Sequence, residues 1–96
     1  MTVVTLCGSM EFQKEMIEIA QKLELEKCYC VIQCVYDLPP VTVEQKRLLG
    51  ELHREKIDLS DAIYVVNVGG YIGESCKAEI EYAKSKNKEI LYHEMI

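Results

Sequence analysis

The sequence predicts an α/β protein, a three-layer α/β/α sandwich on a parallel four-stranded sheet. Three observations predict it. Short apolar runs rich in β-branched residues, at 3–6, 29–35, 62–66 and 88–93, have the length and composition of strands. Three segments of helical period separate them, and a helix between consecutive strands demands parallel pairing through a crossover. Two of the strands run into small-residue turns, Cys7-Gly8-Ser9-Met10 and Asn67-Val68-Gly69-Gly70-Tyr71-Ile72-Gly73-Glu74-Ser75. Ligands of open α/β sheets bind at such turns, beyond the carboxyl ends of the strands.

Taken in order, Val3, Val4 and Leu6 make the first strand, and Ser9 behind it is a good helix N-cap. The first helix spans about 11–25. Phe12, Met16, Ile19, Ala20 and Leu23 repeat at helical spacing, while Lys14, Glu18, Gln21 and Lys22 take the other side. In the second strand, 29–35, Cys30 and Cys34 alternate with apolar residues and read as core thiols. Asp37-Leu38-Pro39-Pro40 then stops regular structure, because consecutive prolines continue neither a helix nor a central strand.

The second helix, 41–59, has Thr42 as its candidate cap and a less regular pattern. Leu48, Leu52 and Leu59 share a face, but Glu55 and Lys56 fall on or beside it, so that face is either partly exposed or covered by another subunit. Ser60-Asp61 turns the chain into the central strand, and the last strand ends at His93. The simplest assembly has the flavodoxin- or Rossmann-like strand order 2-1-3-4. It makes the turns after strands one and three neighbours at the switch point.

The 96 residues suffice for one domain, which buries roughly 65% of its unfolded-chain surface. A net charge of -5, with no basic stripe, argues against a nucleic-acid partner. No apolar run approaches the ~20 residues that span a bilayer, so no membrane role is expected. Residues 1–6 lack the basic and long apolar regions of a signal peptide, and an odd count of five cysteines fits a reducing cytoplasm. Cys28-x-Cys30 with Cys34 does not have zinc-knuckle spacing, and no histidine lies near in sequence; neither a metal nor a cofactor is expected. His53, among Arg54, Glu55 and Lys56, reads as solvated or at an interface. His93 ends a strand at the cleft edge, where a surface role outweighs a ligand contact.

Glu79 stands out in the third helix. Cys76, Ile80 and Ala83 share its apolar face, and Glu79 lies roughly 65° from the centre of that face. It is also about one turn from the helix start. Spacing alone favours a boundary glutamate whose head reaches solvent; the alternative is a half-buried carboxylate, costly unless hydrogen-bonded or used. The strand order gathers Gly8, Ser9, Asn67, Gly70, Ser75 and Glu79 around one cleft. A P-loop lysine and a full Gly-x-Gly-x-x-Gly after the first strand are both missing, and Ser9 has no adjacent histidine, so triphosphate, dinucleotide and serine–histidine chemistries lack support. A single carboxylate over anion-friendly loops suits attack on a sugar anomeric carbon with loss of a nucleobase.

Cys7-Gly8-Ser9, the stretch from Asn67 to Ser75, and Glu79-Ile80-x-Tyr82-Ala83 resemble the nucleoside 2-deoxyribosyltransferase superfamily, which includes the 2′-deoxynucleoside 5′-monophosphate N-glycosidases. The resemblance implies Glu79 as the nucleophile. It implies phosphate contacts at Gly8, Ser9 and Ser75, with Gly70 and Gly73 in the same loop. Asn67 stands where that family usually carries an aspartate, and becomes a sugar or base contact. Tyr71 is either a stacking partner for the base or a loop residue packing on its own helix. A deoxynucleoside or deoxynucleotide substrate and a homodimer or larger homo-oligomer are implied as well.

Overall fold

A computed structural model describes residues 1–36 and 39–95. The elements are β1 (Val3–Gly8), α1 (Gln13–Lys27), β2 (Cys30–Ile32), α2 (Val43–Asp58), β3 (Ala62–Val66), α3 (Glu74–Ser85) and β4 (Glu89–Tyr92). Short 3-10 turns, Met10–Phe12 and Val68–Gly70, follow β1 and β3. All strand pairs are parallel, in the order β2-β1-β3-β4. The expected α/β sandwich and strand order are therefore observed.

Alternation along the strands supplies the two sides of the sheet. Leu6 of β1 and Val66 of β3 pack with Met16, Ile19, Ala20 and Leu23 of α1. Cys7, Ile63 and Val65 face the other way, into a cluster with Ile57 of α2 and Cys76, Ile80 and Ala83 of α3. The chain steps from β1 outward to β2 with α1 on one side, then back past β1 to β3 and β4 with α2 and α3 on the other. That reversal lies between β1 and β3, whose register runs from Val4 opposite Ala62 to Gly8 opposite Val66. Both strands thus deliver their following loops to one place.

Local chemistry sets the boundaries. Ser9 Oγ accepts from Glu11 N–H and caps the first 3-10 turn. Thr42 and Gln45 form a reciprocal capping box at the start of α2. Cys28 ends α1 in the left-handed region, at φ 58°. Gly8 is required by packing: a Cβ there would sit 3.2 Å from Met16 Sδ and 3.3 Å from Val66 Cβ. No helix among the described residues is long and apolar enough to cross a membrane.

Three expectations need correction. The second strand is three residues, not seven, because it pairs only with Val3–Thr5 at the sheet edge and then leaves β1. Cys30 is exposed on that edge rather than in the core, while Cys34 is partly buried, its thiol donating to Leu6 O at 3.5 Å. His53 is neither solvated nor at the surface; it is buried, 8% exposed, against the cysteine at the end of β1. The α2 leucines follow the sequence reading, with Leu48, Leu52 and Leu59 exposed. Of Asp37-Leu38-Pro39-Pro40, the first two lie outside the described residues.

Candidate functional site

The loops after β1 and β3 meet α2 around a cleft of about 810 Å³. Gly8, Ser9, Tyr71, Gly73, Ser75 and Glu79 all line it, so most of the expected constellation is brought together. An edge-on contact between Phe12 and Tyr71, with centroids 6.0 Å apart, ties the two loops to each other. Tyr71 packs one edge on Phe12 of the other loop, and half of the residue stays exposed beside the cleft.

The start of α3 has no side-chain cap at Gly73, which precedes the helix in extended geometry, so the first N–H groups of α3 depend on other partners. Those groups and the helix dipole favour negative charge at this end. Ser75 is exposed on the first turn and Ser9 lies across the cleft. Lys46 and Lys56 bring positive charge from α2, the latter donating to Gln33 O at 3.1 Å.

At the floor of the cleft is Glu79. Its side chain is 23% exposed, and its carboxylate turns inward instead of reaching for solvent. His53 Nε2 lies 3.4 Å from Glu79 Oε1 and 3.4 Å from Cys7 Sγ. Three different elements, β1, α2 and α3, thus contribute one polar atom each to a single cluster. Burial pushes the Glu79 carboxyl above its ordinary value, opposed by a hydrogen bond from the Cys7 thiol and the positive charge of Arg54. Burial, reinforced by nearby Lys56, lowers His53 to about 4, so the ring is neutral at pH 7. The neutral imidazole places Nε2 within 3.4 Å of both the Cys7 thiol and the Glu79 carboxylate. Burial and the negative charge of Glu79 hold the Cys7 thiol well above its usual range, and Cys34 and Cys76 are raised to about 11 and about 12 for the same reasons.

Asn67 and Gly70 do not join the cleft. Asn67 is fully buried: its Nδ2 donates to Glu94 O at 2.9 Å, and its Oδ1 accepts from Glu94 N–H at 2.8 Å. Both ends of the amide are consumed in tying the segment after β4 to the end of β3. The Glu94 carboxylate completes the knot by accepting from Gly69 N–H at 2.9 Å. Gly69 and Gly70 take positive φ, 64° and 82°, and turn the chain without reaching the cleft. His93 is exposed, its Nδ1 3.5 Å from Tyr64 Oη, and it too stays outside the cleft lining.

No protein-family model, curated protein or solved structure matches this chain. The site therefore has to be read from its own chemistry. Sequence reasoning missed His53 and Cys7 as partners of Glu79. Cys7 carries a small signal, since it directly precedes the Gly8-Ser9 turn on a central strand. His53 carries none that periodicity can isolate, because its neighbours on α2 are charged and the helix pattern is irregular.

Proposed function

We propose that this domain cleaves or transfers the N-glycosidic bond of a deoxynucleoside or its 5′-monophosphate. The observation that carries the reading is the inward-facing Glu79 carboxylate at the base of a cleft bounded by two anion-friendly loops. In this role Glu79 attacks the anomeric carbon, the base departs, and a glycosyl-enzyme ester is left for water or an acceptor base to resolve. The 5′-phosphate lies against Ser9, Ser75 and the amides that open α3, with Gly8 and Gly73 allowing close approach and Lys46 adding charge. Tyr71 offers its free face to the base. The neutral His53 lies beside the carboxylate, its Nε2 3.4 Å from Oε1. Leu52 and Leu59 are exposed at the cleft rim, and with Leu48 they make α2 the face on which a second copy of the chain would close the site.

A second reading is favoured by one observation. Asn67, at the position where the resemblance leads one to expect a carboxylic acid, is an amide wholly spent on Glu94. A cleft that keeps the phosphate contacts but has no acid for the leaving base would serve as a nucleotide-binding module. Base release from a panel of deoxynucleoside 5′-monophosphates, followed by chromatography, separates the two. For an enzyme, the wild type releases base and Glu79→Ala does not, a loss of at least about 10³-fold, while the variant still binds nucleotide. Thermal stabilisation by nucleotide with no release from wild type would establish the binding module instead.

A further inference from the structure

Cys7, His53 and Glu79 form a compact set of three metal-ligating groups of different kinds. Their Sγ, Nε2 and carboxylate oxygen all lie within 4.8 Å of one another. The Sγ–Nε2 and Nε2–Oε1 separations are both 3.4 Å. An N–H···O hydrogen bond is normally ~2.9 Å, so the histidine–glutamate contact is long for a direct bond. A tetrahedral zinc ion holds sulfur at ~2.3 Å and nitrogen or oxygen at ~2.0–2.2 Å. Those bond lengths put its sulfur and nitrogen donors roughly 3.5 Å apart, and its nitrogen and oxygen donors roughly 3.4 Å apart. The observed distances match two of the three edges among these ligands, and the third, between the Cys7 sulfur and the Glu79 carboxylate, is within 4.8 Å.

Charge and composition agree with the geometry. A thiolate, a carboxylate and a neutral imidazole sum to two negative charges, which one divalent cation neutralises in a largely buried place. Magnesium and calcium prefer all-oxygen ligand sets, whereas a sulfur–nitrogen–oxygen set selects zinc-like ions. The three ligands come from β1, α2 and α3, elements fixed by the core around Ile57, Ile63 and Ile80. His53 and Glu79 also line the cleft, so a fourth coordination position opens toward its space.

We propose that Cys7, His53 and Glu79 form a binding site for one zinc-class divalent ion, with its fourth position open to the cleft. The site does not depend on the glycosidic reading, but it constrains it. A carboxylate bound to a metal is not a free nucleophile, so the ion-loaded form is the inactive form for base release.

Cobalt(II) is the probe. The full-length chain, reduced and stripped with a chelator, is titrated with Co²⁺ and its absorption recorded. The site gives saturation at one equivalent, four-coordinate visible bands, a thiolate-to-cobalt charge-transfer band, and bleaching of all of these by Zn²⁺. Cys7→Ser removes the charge-transfer band and weakens binding at least 100-fold, beyond what loss of an outer-shell contact produces. Cys28→Ser and Cys30→Ser change nothing, since both residues are exposed and Cys30 pairs with Val3, at the far end of β1 from Cys7. Absence of one-equivalent binding, or a charge-transfer band that survives Cys7→Ser, overturns the proposal. Because Cys7 is buried, the wild-type spectrum provides a test that needs no variant: a spectrum without thiolate character also overturns it. One equivalent of Zn²⁺ should lower base release at least 10-fold relative to chelator, and unchanged release would remove Glu79 from the ligand set. A wild type that releases no base in chelator sinks the glycosidic reading and leaves the cobalt spectrum to decide the metal site.

Discussion

Two buried polar clusters sit at the same end of the sheet, and they are built on opposite plans. Around Asn67 every contact is short: three hydrogen bonds of 2.8–2.9 Å join its amide, Glu94 and Gly69. Around Glu79 the contacts are looser: His53 Nε2 lies 3.4 Å from the carboxylate and 3.4 Å from Cys7 Sγ, and the cluster borders an open cleft. A buried polar group normally recovers its desolvation cost through well-made bonds. The Asn67 cluster does so and is closed to any ligand. The Glu79 cluster makes longer contacts, and its carboxylate and imidazole both line the cleft. Short, closed polar contacts mark structure, and a looser polar cluster that opens on a cavity marks a site.

The largest expected effect breaks the closed cluster. Asn67→Ala leaves the Glu94 N–H and carbonyl unpaired and opens a cavity at a fully buried position. It should cost about 3 kcal/mol of stability, lowering Tm by roughly 10–20 °C. Asn67→Asp is the sharper test. An aspartate cannot donate to Glu94 O, and it places a second carboxylate beside that of Glu94. It should destabilise the fold comparably without raising base release, as read by melting curves and chromatography together. A faster enzyme from Asn67→Asp would mean that this residue belongs to the site after all.

A smaller effect, on pH dependence, belongs to the open cluster. His53 faces Cys7 from β1 and Glu79 from α3, with Lys56 on its own helix. Its folded-state value of about 4 lies below its ordinary 6.5. Between those values the unfolded chain binds the proton and the folded chain does not, so this residue makes stability rise with pH across that window. Denaturant unfolding in the presence of a chelator should show the rise, and His53→Gln should remove it. A rise of the same size in the variant would place its origin elsewhere.

The unequal legibility of the two clusters in the sequence follows from the same contrast. Strand order, helix faces and loop positions come from periodic patterns, so Leu6, Met16, Ile80 and Ala83 fell where their spacing put them. The loops at the switch point were legible for the same reason: glycines and serines follow strands at fixed places. Cys30 was misread because alternation says which residues share a side, not whether a strand is central or at an edge. Asn67 was misread because its partner is Glu94, beyond the next helix and strand, and no local pattern announces such a bond. The neighbours of Glu79 were hidden likewise, since a glutamate, a histidine and a cysteine on three elements meet only after the sheet has formed.

The smallest effect tests what Glu79 costs the fold. Burial raises its carboxyl, so the folded chain holds the proton more tightly than the unfolded chain. Stability from this group is therefore lost as pH rises from the ordinary carboxylate range through the raised folded value, opposite in sign to the contribution of His53. Glu79→Gln keeps the shape and removes the charge. At pH 7, in chelator, it should leave stability unchanged or raise it by up to about 1 kcal/mol, while base release disappears. The pH profile of this variant should also rise more steeply where His53 titrates, because the opposing contribution is gone. A clear loss of stability in Glu79→Gln would mean that the charged carboxylate holds α2 and α3 together. The open cluster would then be a structural knot like that of Asn67, built with longer contacts.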